Sequence, residues 1–198
     1  EEEKTIGITS AASFTTFPSF ILVFGVPGPV AARRITNQVA WNINAQYHVS
    51  DDSMLYATVS RGAKGGGFNG NWGALTVLQR EFEDEEVMSY EVGLKSSLLD
   101  RRVTLNANIF LSDFDNFQNA TFLGTNFLID NAKEVSTQGI ELDMVALLAK
   151  WLTMDLSYTY LDAQYDSFTN GPCVFPMTGN CDFSGEYLPF TADNRWHL

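Results

Sequence analysis

The sequence predicts an all-β chain forming part of an antiparallel transmembrane β-barrel, about seven or eight strands of it. Three observations carry that reading. Hydrophobicity alternates with a period of two in run after run, so each strand has two unlike faces. The runs are about ten to fourteen residues long, whereas strands in soluble sheets average about 5–6 and a tilted transmembrane strand needs about 9–11. The connections alternate short and longer, which puts every short turn at one end of the sheet and every longer loop at the other.

The bulk properties agree. The 198 residues carry a net charge of −12, which leaves no basic patch to neutralise phosphates and argues against nucleic acid as a partner. Mean hydropathy is −0.07, and no run approaches the ~18 apolar residues of a membrane helix. That figure does not argue against a barrel, whose lipid face is hidden inside the alternation.

Residues 38–49 open the series, with Val39, Trp41, Ile43, Ala45, Tyr47 and Val49 on one face and Gln38, Asn42, Asn44, Gln46 and His48 on the other. The turn "SDDS" leads into residues 54–62, where Leu55, Ala57 and Val59 alternate with Tyr56, Thr58 and Ser60. A glycine-rich and then acidic loop follows, with a short strand expected near "ALTVLQ". Residues 87–98 send Met88, Tyr90, Val92, Leu94 and Leu98 outward. After the turn "LDRR", residues 103–117 place Val103, Leu105, Ala107, Ile109 and Leu111 on the apolar face, with Phe110 out of pattern. Residues 118–134 read as a loop of medium length. Two further strands, 135–148 and 152–165, flank a tight turn at "AKW", and "NRWHL" looks like the start of another strand.

Polar and charged residues on the second face suit a wet lumen, and the lumen-facing candidates are Glu91, Lys95, Asn106, Asn108, Glu141, Asp143 and Asp155. Trp41, Tyr47, Tyr90, Trp151, Tyr158 and Tyr160 lie near strand ends, where aromatic girdles meet the lipid interface. Cys173 and Cys181 stand close together in a loop rich in Gly, Pro and Asn, and read as a short-loop disulfide made in an oxidising compartment. Neither histidine has a Cys or His neighbour at metal-ligand spacing, so no metal site and no cofactor is expected. No Ser/His/Asp or Cys/His grouping points to catalysis. The acidic run "REFEDEEV" reads as a solvated loop, with calcium binding as the sharper alternative. The stretch "GAKGGGFNG" lacks the spacing of a phosphate loop. Its Lys64 and backbone amides suit an anionic ligand, and the outer-loop candidates for ligand contact are Lys64, Phe68, Asn69, Trp72, Phe117 and Gln118.

Four segments, "YATVSRGAKGGGFNG", "EDEEVMSYEVGLKSSLLDRRVTLNANIFLSDFDNFQ", "NAKEVSTQGIELD" and "YTYLDAQYDSF…CDFSGEYLPF", resemble in order and spacing the barrel domain of TonB-dependent outer-membrane receptors, siderophore receptors in particular. The likeness covers roughly residues 37–190 and is most specific from Val87 to Gln118. It implies a barrel of about 22 strands plugged by a separate domain, set in the bacterial outer membrane among its lipids. It further implies uptake of a scarce ligand, a ferric siderophore or similar small molecule, driven through the TonB complex. Residues 1–198 would then be a piece of that barrel domain, without plug, TonB box or closing strand. Two other readings remain: a small passive barrel or pore of about eight strands, and a soluble β-sandwich binding module. The first requires a closed sheet; the second requires short strands and no loop asymmetry.

Overall fold

A computed structural model describes residues 2–8, 30–69, 81–122, 127–173, 177 and 179–198, with the backbone alone for 2–8 and 30–32. All regular structure among them is strand: β1 (Glu2–Ile8), β2 (Val30–Thr36), β3 (Trp41–Ser50), β4 (Ser53–Lys64), β5 (Gly67–Phe68), β6 (Glu81–Phe82), β7 (Glu85–Leu98), β8 (Val103–Phe122), β9 (Phe127–Ala149), β10 (Leu152–Ser167), β11 (Gly171–Pro172), β12 (Asn180–Cys181) and β13 (Asn194–His197). The long strands make one seven-stranded sheet in the order β13-β10-β9-β8-β7-β4-β3. Every pairing in it is antiparallel. The edges β3 and β13 are not bonded to each other, so this sheet is an open stretch of wall.

Register turns the sequence alternation into two continuous surfaces. One ladder row runs Tyr47, Leu55, Leu94, Ala107, Leu142, Tyr158 and Trp196 across all seven strands. The adjacent row, on the opposite face, runs Gln46, Tyr56, Gly93, Asn108, Glu141, Thr159 and Arg195. A slip of one residue would exchange the two faces, so the pattern itself specifies register. The large side chains at the middle of the apolar face are uncovered: Ile109 is 58% exposed and Val92 53%.

Its upper border is sharp. The last apolar outward residues are Met88 on β7, Leu111 on β8, Ile140 on β9 and Tyr160 on β10, each followed outward by Glu86, Asp113, Gln138 or Asp162. Met88 faces Asp113 and Leu111 faces Gln138 across the ladder, so the border steps downward from β7 to β9. That drift is expected where strands cross a bilayer obliquely.

Beyond the border the polarity inverts. Asp113, Asp115 and Glu134 turn outward, while Phe114 and Val135 turn inward to an apolar cluster. Its buried members are Ala132, Val135, Tyr165 and Phe168, with Phe114, Phe117, Phe183 and Leu188 packed against them. The inversion has a simple cause: here the inner face is covered by the returning loop, and the outer face carries carboxylates that suit water. That loop pairs back on β10, with the Leu188 N–H donating to the Ala163 carbonyl at 3.0 Å and Tyr165 to Glu186 at 2.9 Å.

The expected loop at 118–134 is a correction. β8 continues to Phe122 and β9 already begins at Phe127. Asn116 lies in the left-handed region, φ 54°, and lets Phe114 and Phe117 point the same way with ring centroids 5.6 Å apart. That kink ends the period of two, which is why the strand is not legible past it. Phe110, out of pattern in the sequence, lies on the wet face above Gly139, where a Cβ would come within 2.8 Å of its ring. The β1–β2 hairpin, paired from Glu2↔Thr36 to Ile8↔Val30, had no counterpart in the sequence reading. The short strand expected near residues 74–79 lies outside the described residues.

Two substitutions on adjacent residues separate the faces. Ile109→Arg on the apolar face should cost ~2–4 kcal/mol if that position lies near the bilayer midplane, while Asn108→Ser on the wet face should cost about 1 kcal/mol or less. Heat-modifiable gel migration of the full-length protein in outer membranes reads both: the first variant should lose most of its folded band and the second should keep it.

Candidate functional site at the wet face and the long-loop end

All seven lumen candidates lie on the wet face. Tyr56 on β4 organises its centre. Its ring crosses Gly93 on β7, where even a Cβ would come within 2.5 Å of it. Its hydroxyl donates to the Glu91 carboxylate. Lys95 Nζ stands 5.5 Å from the centroid of the same ring, close enough for a cation–π contact. One strand further, Asn108 Nδ2 donates to Glu141 Oε2 at 3.0 Å. Asn106 is register partner to both Lys95 and Asp143, and Ser157 Oγ donates to Asp143 Oδ1 at 2.6 Å. Asp155 pairs with Val145, one row nearer the short turns.

The Tyr56–Gly93 pair is absent from the candidates read in the sequence. Its signal was a tyrosine on a polar face with a glycine in the neighbouring strand, and register was needed to see that the two are opposite. At the short-turn end the same face opens a cleft of about 420 Å³, lined in part by His48, Asp52, Met54, Lys95, Arg101 and Asn106.

The long-loop end is laced together by side-chain amides. Asn69 is 5% exposed; its Nδ2 donates to the Ile129 carbonyl and its Oδ1 accepts the Ile129 N–H, both at 2.8 Å, as another strand would. Gln118 Nε2 donates to the carbonyls of Gly65 at 3.2 Å and Glu83 at 3.0 Å. Asn131 donates to the Glu83 carbonyl and accepts the Glu83 N–H at 2.7 Å.

The acidic run differs from the solvated loop expected. Asp84 accepts the Gly66 N–H at 2.5 Å and the Thr36 hydroxyl at 3.2 Å, Glu85 accepts the Gln118 N–H at 2.6 Å, and Arg34 bridges Glu81 and Asp84. Burial pushes the neighbouring Asp130 carboxyl above the ordinary carboxylate range, against the N–H bond from Asn131.

Among the ligand-contact candidates, then, Lys64 is exposed at the end of β4 and Phe68 is half-buried in β5. Asn69 and Gln118 hold backbone, and Phe117 packs against the aromatic cluster. Trp72 lies outside the described residues.

Cys173 and Cys181 are joined, Cα to Cα 5.1 Å, across the β11–β12 hairpin. The hairpin rests on an aromatic stack in which Phe168 lies 5.1 Å from Tyr165 and 5.7 Å from Phe183. Tyr165, its hydroxyl pKa raised by burial, donates to Asn119 at 3.0 Å. Among the described residues no three His, Cys, Asp or Glu side chains converge to hold a metal. Among the described residues the arrangement is a polar, hydrogen-bonded face that continues to a loop end tied by side-chain amides.

A two-faced antiparallel wall with short turns at one end and structured loops at the other defines a transmembrane barrel. Residues 12–198 match the family described as TonB dependent receptor-like, beta-barrel, and the chain belongs to that family, whose members are bacterial outer-membrane proteins. It is 22% identical over 201 residues to the probable TonB-dependent siderophore receptor PiuA of Acinetobacter baumannii, a match spanning 95% of this chain and 23% of that protein. The fold resembles the ferric yersiniabactin uptake receptor FyuA of Yersinia pestis, with TM-score 0.64 and 22% identity over 89% of this chain and 24% of that one. It also resembles the ferric-catecholate import receptor Fiu of E. coli K12, with TM-score 0.56 and 18% identity over 95% and 26%. The chain therefore spans about a quarter of the length of these relatives.

Two expectations follow for the loop end. Asn69→Ala leaves the Ile129 N–H and carbonyl without their partner and should cost about 1–3 kcal/mol locally. Hydrogen exchange over residues 127–131 should accelerate in that variant while exchange at the β7–β8 ladder stays slow. Replacing both cysteines by serine should loosen the 168–188 loop by about 2–3 kcal/mol, read as faster limited proteolysis there with the heat-modifiable band retained.

Proposed function

We propose that this chain is part of the barrel wall of an active-transport receptor that takes up a ferric siderophore, with energy delivered through TonB. Residues 1–198 are, in this reading, one stretch of a barrel domain of about 22 strands closed by a plug. The observation that supports it best is the membership of nearly the whole chain in the receptor-barrel family. The printed names of its relatives point the same way: a siderophore receptor, a ferric yersiniabactin uptake receptor and a ferric-catecholate import receptor.

In mechanism, the loop end captures the ligand. Lys64 and Phe68 offer side chains to it and stand on a surface held by Asn69, Phe117 and Gln118, and Trp72 is a further ligand contact in this reading. Aromatic rings and a cation suit a bulky complex carrying anionic oxygens. The wall below keeps a hydrated path: Glu91, Lys95, Asn106, Asn108, Glu141, Asp143 and Asp155 present charge and amides to water or to the plug. TonB, pulling on the plug, opens a passage along this wall. The role is transport with no bond made or broken, so the chain acts as a receptor and not as an enzyme.

The test is iron uptake by the native host with the full-length gene deleted. Under iron limitation the deletion strain should lose uptake of radioactive iron from at least one ferric siderophore in a panel of hydroxamates, catecholates and mixed chelators. In the parent strain an uncoupler should stop uptake of that ligand and leave its surface binding. Uptake unchanged across the panel, or transport that survives the uncoupler, contradicts the proposal.

A further inference from the structure

The lipid-facing band is bordered by opposite charges. At the long-loop end its outward neighbours are Glu86, Asp113 and Asp162, of which Glu86 is neutralised by Arg61 at 2.6 Å. At the short-turn end stand Arg102, in the β7–β8 turn, and Lys150 beside Trp151, in the β9–β10 turn. The structure brings these two turns together. Arg102 Nη2 donates to the carbonyls of Leu147 at 3.0 Å and Leu148 at 3.2 Å, which seats its guanidinium at the foot of β9, just before Lys150. Trp151 is 83% exposed, its sequence neighbours Leu148 and Leu152 are exposed as well, and so is Leu99 in the β7–β8 turn. Arg101 is turned away toward Asp52, 3.5 Å from its carboxylate. The acid left in these two turns is Asp100, against two cations.

The geometry points to a binding site for an anionic phospholipid headgroup, formed by Arg102, Lys150 and Trp151 at the foot of strands β8, β9 and β10. The chemistry required is present in one place. A phosphodiester wants a guanidinium fixed by other bonds and a mobile ammonium within reach. Its glycerol and upper acyl chain want an indole at the interface and an apolar band running on from it. Arg102 has donors left after its two carbonyl bonds. Leu148 continues into the outward row of β9 and Leu152 into that of β10, so a lipid seated at the turn has its tail already placed. Charge complementarity selects among lipids: a zwitterionic headgroup gains less from two cations than an anionic one.

Native mass spectrometry of the full-length receptor, purified in mild detergent and offered equal amounts of phosphatidylglycerol and phosphatidylethanolamine, tests this. The parent protein should retain the anionic lipid about fivefold or more over the zwitterionic one. Lys150→Gln, an exposed position that folding does not depend on, should cut the preference, and the double variant with Trp151→Ala should bring it near parity. Asp113→Asn, at the opposite border, should leave it unchanged. Equal retention by the parent, or an undiminished preference in the double variant with its heat-modifiable band intact, overturns the site.

Discussion

The rest of the structure depends on one constraint: inside a bilayer, backbone N–H and C=O groups have no water to bond. A chain that crosses as strands must therefore pair every one of them with a neighbouring strand. The ladder from β3 to β13 does this on both sides of the five strands between its two edges. Once the ladder exists, side chains are left with only two destinations, and the alternation assigns them. What the outward face contributes is apolar area to lipid. What the inward face contributes is a hydrogen-bonded skin, and Tyr56 laid flat over Gly93 shows how it stays thin where Glu91 must be held.

Outside the lipid the same ladder continues under different rules. The strands keep their backbone pairing to Phe122 and Phe127, yet the faces exchange polarity, with Asp113 and Asp115 outward and Phe114 and Val135 inward. A small core forms there because the loop after β10 returns over it, pinned by the disulfide hairpin and the Phe168 stack. Amide side chains then tie neighbouring loops to strand backbone at Asn69, Gln118 and Asn131. The backbone groups fastened in this way are satisfied within the protein.

How much of this is legible in the sequence follows from the same physics. Strands crossing the lipid are legible because both environments are extreme and the period is unbroken: Val103 to Leu111 alternates almost without fault. The extension beyond Asn116 is not legible, because one left-handed residue shifts the phase and the outer face becomes polar. The candidate wall residues are legible as a set, since parity alone places Glu91, Asn108 and Glu141 on one face. Their partners are not, because Tyr56, Gly93 and Asn108 meet only through register. At the loop end, the backbone bonds of Asn69 and Gln118 are not legible, because their partners Ile129, Gly65 and Glu83 are brought to them only by the fold.

The measurement that tests the central claim most directly is the phase of lipid exposure along β8 and β9 of the full-length protein in bilayers. Spin labels placed one at a time at Ala107, Asn108, Ile109, Ile140 and Glu141 report collision with oxygen, which concentrates in lipid, and with a water-soluble nickel chelate. The account predicts a period of two, with Ala107, Ile109 and Ile140 favouring oxygen and Asn108 and Glu141 favouring nickel. Labels at Ile109 and Ile140 that favour nickel, or accessibility without that period, would contradict it.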